Sequence, residues 1–380
     1  MSPGSHMLRK LFALWIVPPL ITTFILAGWS SWDRPPASPD TKPFASLPAV
    51  RLLTASLTPA HRLALSAPGT LPPPIAPLNA AYLTQAAQID LGPWELVHAL
   101  AWSPDGERLA VSAGEWLYLY PYPSLDPPAT IDLGVWSPGL AFSPDGRWIA
   151  TGGRDGVIQL WQTSSRTKIL EIEAHKKGLN DLAFNPVGDL LASGGNDGMA
   201  RLWDPHSGEQ RIQMIGGSFA IPAIGFTQDG KALAILNGGV VRVRELESGR
   251  FVRTLSGEGS YFSLDIAQGD RILALGGADN RVEIWDQESE SQLFTLSGHQ
   301  GQPGRFTSLI WEVEFNPQGT ILASAGGDGA ARLWDTASGK SLANLEGHAN
   351  GVTSLAFSPD GTLLATGGLD GKVKLWQVSE

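Results

Sequence analysis

Leu190–Asp204 reads Leu-Leu-Ala-Ser-Gly-Gly-Asn-Asp-Gly-Met-Ala-Arg-Leu-Trp-Asp, two short apolar runs around an Asn-Asp-Gly turn. That is the strongest short-range signal for a β-hairpin. Near-copies lie at 149–162, 321–335 and 363–377, with a looser one at 272–286. Their closing tryptophans are Trp161, Trp203, Trp285, Trp334 and Trp376; Trp161 and Trp203 are 42 residues apart, as are Trp334 and Trp376. A self-similar unit of that period decides the architecture before any single residue is considered.

A chain of 380 residues could hold two or three ordinary domains or one repeat array. With 44 Gly and 28 Pro, it has a turn-rich all-β profile. There is no cysteine, which excludes disulfides, thiolate metal sites and thiol catalysis. Residues 84–380 carry 21 basic against 35 acidic residues, a balance of −14. With no Lys/Arg cluster visible in the sequence, nucleic acid is not an expected partner.

Residues 1–83 are built differently. Residues 1–10 are a basic start, in which Gly4-Ser5-His6-Met7 resembles a vector remnant. Residues 11–32 hold an uncharged run, Leu11–Gly28, followed by Trp29 and Trp32 at the place of interfacial aromatics. The expectation is one apolar helix, a signal or transmembrane segment, with Arg9 and Lys10 inside and the remainder on the extracytoplasmic side. Cleavage, giving a secreted or periplasmic protein, is the alternative. Trp29 stands where a lipidated cysteine would have to be, so that site cannot be lipid-anchored. Residues 33–83 are Pro-rich, including Pro72-Pro73-Pro74, and read as a tether.

A second motif runs through 84–380: Ser-Pro-Asp-Gly at 103–106, 143–146 and 358–361, with variants at 185–188, 227–230, 267–270 and 316–319. Each sits between two short apolar runs, so each is strand, tight turn, strand. Seven turns make seven units. Ala174-His175, Gly298-His299 and Gly347-His348 precede three of them. The combined spacing of Gly-His, Ser-Pro-Asp-Gly, Asp-Gly and Trp-Asp resembles the WD-repeat (Trp-Asp repeat) β-propellers, in a bacterial-type form. The resemblance implies an all-β, seven-bladed propeller over 84–380. Because the chain ends on the third strand of its last unit, residues 85–91 are expected to close that blade.

The family's structural tetrad, a His–Ser/Thr–Asp–Trp chain, maps onto three blades. They are His175, Ser193, Asp197 and Trp203; His299, Ser324, Asp328 and Trp334; and His348, Thr366, Asp370 and Trp376. The blade at 132–172 keeps Thr151, Asp155 and Trp161 without a histidine, and that at 257–297 keeps Asp279 and Trp285. The blades at 94–124 and 217–253 are degenerate, with Tyr120 and Arg244 in place of Trp. A Ser–His–Asp hydrolase triad is set aside because the same trio recurs in three blades. No catalytic residue, metal or cofactor is expected.

The resemblance places binding at the channel mouth, lined by residues that open the innermost strands and those before the turn Asp. The expected partner-binding residues are His98, Trp136, Arg154, Asn180, Asn196, Tyr261, Phe262, Trp311 and Leu369. Arg305 and Phe306 join them from a seven-residue insertion within 300–308. Aromatics and arginine are the residue types of interaction hot spots. The expected function is a non-catalytic, membrane-tethered scaffold binding a protein or peptide, with a membrane-complex subunit among the candidates. A small-ligand or glycan receptor at the channel mouth is the alternative.

Overall fold

The Ser-Pro-Asp-Gly segments form the turns for which their residues are suited. At the first, Gly106 N–H donates to the Ser103 carbonyl (2.8 Å), Glu107 N–H to Asp105 Oδ1 (3.0 Å) and Arg108 N–H to Ser103 Oγ (2.9 Å). Gly106 takes φ +71°, a left-handed conformation that costs a residue bearing Cβ about 1–2 kcal/mol. The computed structural model describes residues 72–378 apart from 216, 258 and 268. The basic start, the apolar segment 11–32 and the tether up to 71 lie outside these residues. Among the described residues no helix is long and apolar enough to cross a membrane.

The turns link seven four-stranded antiparallel sheets, the seven blades of a propeller. Blades 1 to 7 have as innermost strands Val97–Trp102, Gly139–Phe142, Leu179–Phe184, Ala223–Phe226, Tyr261–Ile266, Ile310–Phe315 and Val352–Phe357. Second strands such as Leu191–Gly195, Ile321–Gly326 and Leu363–Gly368 are buried throughout, because neighbouring blades cover both faces. Outermost strands face solvent, and Lys168–Glu173 buries only Ile172. The core therefore lies between blades. Ile158, Leu160, Leu179, Leu191 and Trp203 form one such layer between blades 2 and 3, each fully buried aliphatic contributing about 1.5–3 kcal/mol.

Blade 7 takes its outer strand from the start of the domain. Leu83–Asp90 pairs antiparallel with Lys372–Val378, from Leu83 opposite Val378 to Asp90 opposite Lys372. The first and last strands of the propeller thus share one sheet, in which Lys372–Val378 is covered and Leu83–Asp90 forms the outer edge. The propeller also begins earlier than residue 84. Ile75 is fully buried among Ile321, Leu333, Leu355 and Trp376, between blades 6 and 7. Its N–H donates to the Gly361 carbonyl (2.8 Å), and its carbonyl accepts from Asn316 Nδ2 (3.2 Å). A Pro-rich composition reads as tether, but one isoleucine fitting an apolar groove is enough to dock its end.

Candidate functional site

Three blades contain complete tetrads. His175 Nδ1 lies 2.9 Å from Asp197 Oδ1 and its Nε2 lies 2.8 Å from Ser193 Oγ, while Trp203 Nε1 donates to Ser193 Oγ at 2.9 Å. His299 has Asp328 at 3.0 Å and Ser324 at 2.8 Å, with Trp334 donating to Ser324 at 2.9 Å. His348 has Asp370 and Thr366 each at 2.9 Å, with Trp376 donating to Thr366 at 3.0 Å. One proton arrangement satisfies every group: indole N–H to hydroxyl, hydroxyl O–H to Nε2, and Nδ1–H to carboxylate. Burial depresses all three histidines below the usual imidazole value, in keeping with neutral rings. Arg201 and Arg332 each donate to the tetrad carboxylate at 2.9 Å. These serines already donate inward, so the trio builds the blade.

Blade 5 holds a different network. Tyr261 was expected at the channel mouth but lies inside the blade, 4% exposed, donating its hydroxyl to Glu283 Oε2 at 2.7 Å. Trp285 Nε1 donates to the same oxygen at 2.9 Å, and Arg281 donates to Glu283 Oε1 at 3.0 Å. One buried carboxylate thus replaces both the histidine and the serine. Two signals mark this exchange in the sequence. Glu283 stands two residues before Trp, where Arg201, Arg332 and Lys374 stand elsewhere, and Tyr261 occupies the strand position of buried Ile310 and Val352. Asp279 is not a tetrad acid either, since its Oδ1 accepts from Gly304 N–H (3.1 Å) and so holds the insertion.

At the mouth, five blades use one device. The pairing register slips at His98, Asn180, Phe262, Trp311 and Thr353, making each the extra residue of a β-bulge. A bulge bends the strand and re-aims one side chain. Not all of these side chains are free. Asn180 Nδ2 donates to Asn196 Oδ1 and to the Ile221 carbonyl of blade 4, both at 3.0 Å. Leu369 is half-buried, its N–H donating to the Gly351 carbonyl at 2.9 Å.

The remaining aromatics form two clusters. In blades 1 and 2 the Trp136 ring lies 5.5 Å from His98, and the exposed Arg154 guanidinium lies 5.2 Å from the Trp136 centroid. Burial, with the Arg154 charge beside it, pushes His98 down to about 4, so its ring is neutral at physiological pH. In blade 6 Phe306 lies 5.1 Å from Trp311, next to exposed Arg305. The insertion is braced by Asn280, which donates to the Gly301 carbonyl (2.8 Å) and accepts from Gly301 N–H (3.0 Å). Neither His98 Nε2 nor Trp311 Nε1 finds a protein partner. Phe262 is half-buried. A cleft of about 330 Å³ is lined by Asp279–Arg281 and Thr295–His299, where blade 5 runs into blade 6.

A belt of half-buried carboxylates, absent from the sequence reading, joins the innermost strands. Asp181 accepts from Ile224 N–H (2.8 Å), Asp265 from Phe315 N–H (2.7 Å), Glu312 from Leu355 N–H (2.7 Å) and Glu314 from Phe357 N–H (3.0 Å). Each side chain thereby pairs a backbone donor of the following blade. Desolvation raises Asp181 to about 6, Asp265 to about 7 and Glu312 to about 8, with Glu314 pushed well above the normal carboxylate value. Mutual repulsion adds to the shift at Asp265, Glu312 and Glu314. No group of His and acidic residues among the described residues is arranged to hold a metal ion.

Residues 137–162, 166–204, 290–335 and 339–377 match the family described as WD domain, G-beta repeat. Three of these four segments run from an outer strand into the next blade, for example from Lys168–Glu173 to Met199–Trp203. Repeat and blade are therefore offset by one strand, the offset that leaves Leu83–Asp90 to complete blade 7. The chain is also similar to the probable cytosolic iron-sulfur protein assembly protein 1 of two Cryptococcus neoformans strains, 44% identical over 62 residues. That match covers 15% of this chain and 14% of the relative. The chain carries WD40 repeats in a seven-bladed propeller, an architecture that suggests a protein-interaction scaffold.

Proposed function

We propose that this seven-bladed WD40 propeller is a non-catalytic scaffold that binds a protein or peptide on its bulge-bearing face. The observation that carries the reading is the pair of aromatic clusters, His98–Trp136–Arg154 and Phe306–Trp311, in which His98 and Trp311 sit on strands and the other three on the adjoining loops and turns. Large, pre-ordered aromatic surfaces bury area at low entropic cost, and arginine supplies orientation. The three His–Ser/Thr–Asp trios that resemble a hydrolase triad are committed to tetrads. A relative named for iron-sulfur protein assembly, matched over 62 residues, is in keeping with a scaffold role.

The apolar segment 11–32 tethers the propeller to a membrane in this reading, with the propeller on the extracytoplasmic side. Affinity purification from membranes tests both parts. Partners recovered with wild type should be lost from the Trp136→Ala/Phe262→Ala/Trp311→Ala variant, and protease added to intact cells or spheroplasts should digest the propeller. Unchanged partners would remove the face from consideration, and protection from protease would reverse the topology.

A further inference from the structure

The fold assembles a basic patch that is dispersed in the sequence. Lys176 and Lys177 follow the tetrad histidine of blade 3, and Arg154 lies on a turn of blade 2; all three are exposed. The connecting loop is fixed at several points. His175 N–H donates to the Gly156 carbonyl (2.8 Å), Leu179 N–H to the Gly153 carbonyl and Asn196 N–H to the Gly178 carbonyl, the last two at 3.0 Å. Gly178, at φ +96°, packs so closely that a Cβ would meet the Arg154 carbonyl oxygen at 2.8 Å and Asn196 Nδ2 at 3.2 Å. The loop that carries the two lysines is therefore packed against the Arg154 turn. Many cations on this acidic domain are paired, as in Arg201–Asp197, Arg211–Asp204, Arg271–Asp286 and Arg332–Asp328. Arg154, Lys176 and Lys177 form no ion pair among the described residues. Adjoining acids include Asp155, whose Oδ1 accepts from Val157 N–H (3.1 Å), Glu173 at the end of its strand, and Asp197, which is bonded to His175 and Arg201.

We propose that this patch docks an acidic peptide segment of a protein partner, with carboxylates on Arg154, Lys176 and Lys177 and an apolar side chain against Trp136. The proposal rests on the scaffold reading and specifies its partner. A guanidinium seated on an indole offers its fork of donors to a planar carboxylate and loses little freedom in binding it. Three cations suit a short acidic segment. A nucleic-acid backbone would continue past them over a body with a balance of −14 and be repelled.

The test uses the full chain and fluorescence anisotropy with a labelled oligoglutamate peptide, an oligoglutamine peptide and oligothymidylate. Oligoglutamate should bind in a salt-sensitive manner, oligoglutamine should not, and Arg154→Gln and Lys176→Gln/Lys177→Gln should each weaken binding about tenfold. Because these side chains are exposed, the melting temperature should not move. Oligoglutamate affinity unchanged in both variants would overturn the proposal. So would oligothymidylate binding as tightly with the same dependence on Arg154. If a Phe262→Ala/Trp311→Ala variant loses its membrane partners while Arg154→Gln/Lys176→Gln/Lys177→Gln keeps them, the scaffold reading stands and this proposal falls.

Discussion

Glu312→Gln should stabilise the propeller, and the gain should grow with pH. Glu312 sits among Asp181, Asp265 and Glu314, whose charges or burial act together to hold protons on the belt. Its carboxyl rises from 4.5 to about 8 in the folded protein. The unfolded chain releases this proton near pH 4.5, while the folded one keeps it until about pH 8. Raising the pH between those values therefore favours unfolding, and the penalty is complete above the folded value. At about 1.4 kcal/mol per pH unit the ceiling is about 5 kcal/mol; dielectric relaxation around the channel reduces this to about 1–3 kcal/mol. Glutamine keeps an acceptor for Leu355 N–H, the bond now made at 2.7 Å, and carries no charge at any pH. The assay is thermal unfolding followed by tryptophan fluorescence at pH 5, 6.5 and 8 and constant ionic strength. The variant should melt within about 1 °C of wild type at pH 5 and about 3–8 °C higher at pH 8. The tetrad histidines act in the opposite sense, since burial lowers them and their contribution fades as pH falls below 6.5. They are common to both proteins and cancel in the difference. A difference that is flat with pH, or a variant less stable at pH 8, would refute the reasoning.

Trp203→Phe should cost about 2–4 kcal/mol in urea denaturation, combining a small cavity with loss of the indole donor to Ser193 Oγ; a cost below about 0.5 kcal/mol would remove the tetrad from the stability account. In blade 5, Tyr261→Phe and Glu283→Gln share one carboxylate oxygen, so a double-mutant cycle should show coupling of about 1–2 kcal/mol, and simple additivity would contradict the network. Ile75→Asp places a charge in the groove between blades 6 and 7 and should cost about 3 kcal/mol or more. Limited proteolysis should then release the segment before residue 83, whereas unchanged cleavage would show that this segment does not secure the ring.

Much of this arrangement was legible because the repeats impose it locally. A Ser-Pro-Asp-Gly turn needs only its own residues, and the three tetrads follow from residue types at fixed spacing. The closing strand was expected at 85–91, and the observed strand is Leu83–Asp90, paired with Lys372–Val378. Reading became less sure where blades depart from the pattern. Tyr261 looked like a face residue because an aromatic near a channel suggests a hot spot, yet its register aligns it with buried Val352.

The sequence by itself determined the number of blades, the tetrads and the strand positions from which the mouth residues project, because period and turn chemistry act over a few residues. Only the tertiary structure decided which mouth residues are free. Asn180 is taken up by a carbonyl of the next blade, whereas Trp136 carries Arg154 on its ring. It also decided that Asp181, Asp265, Glu312 and Glu314 meet backbone donors of the next blade, and that the loop carrying Lys176 and Lys177 packs against the Arg154 turn. Each of these pairings crosses a blade boundary. One blade's sequence encodes its own hydrogen-bond ladder, but closing the ring sets which neighbour's surface it meets.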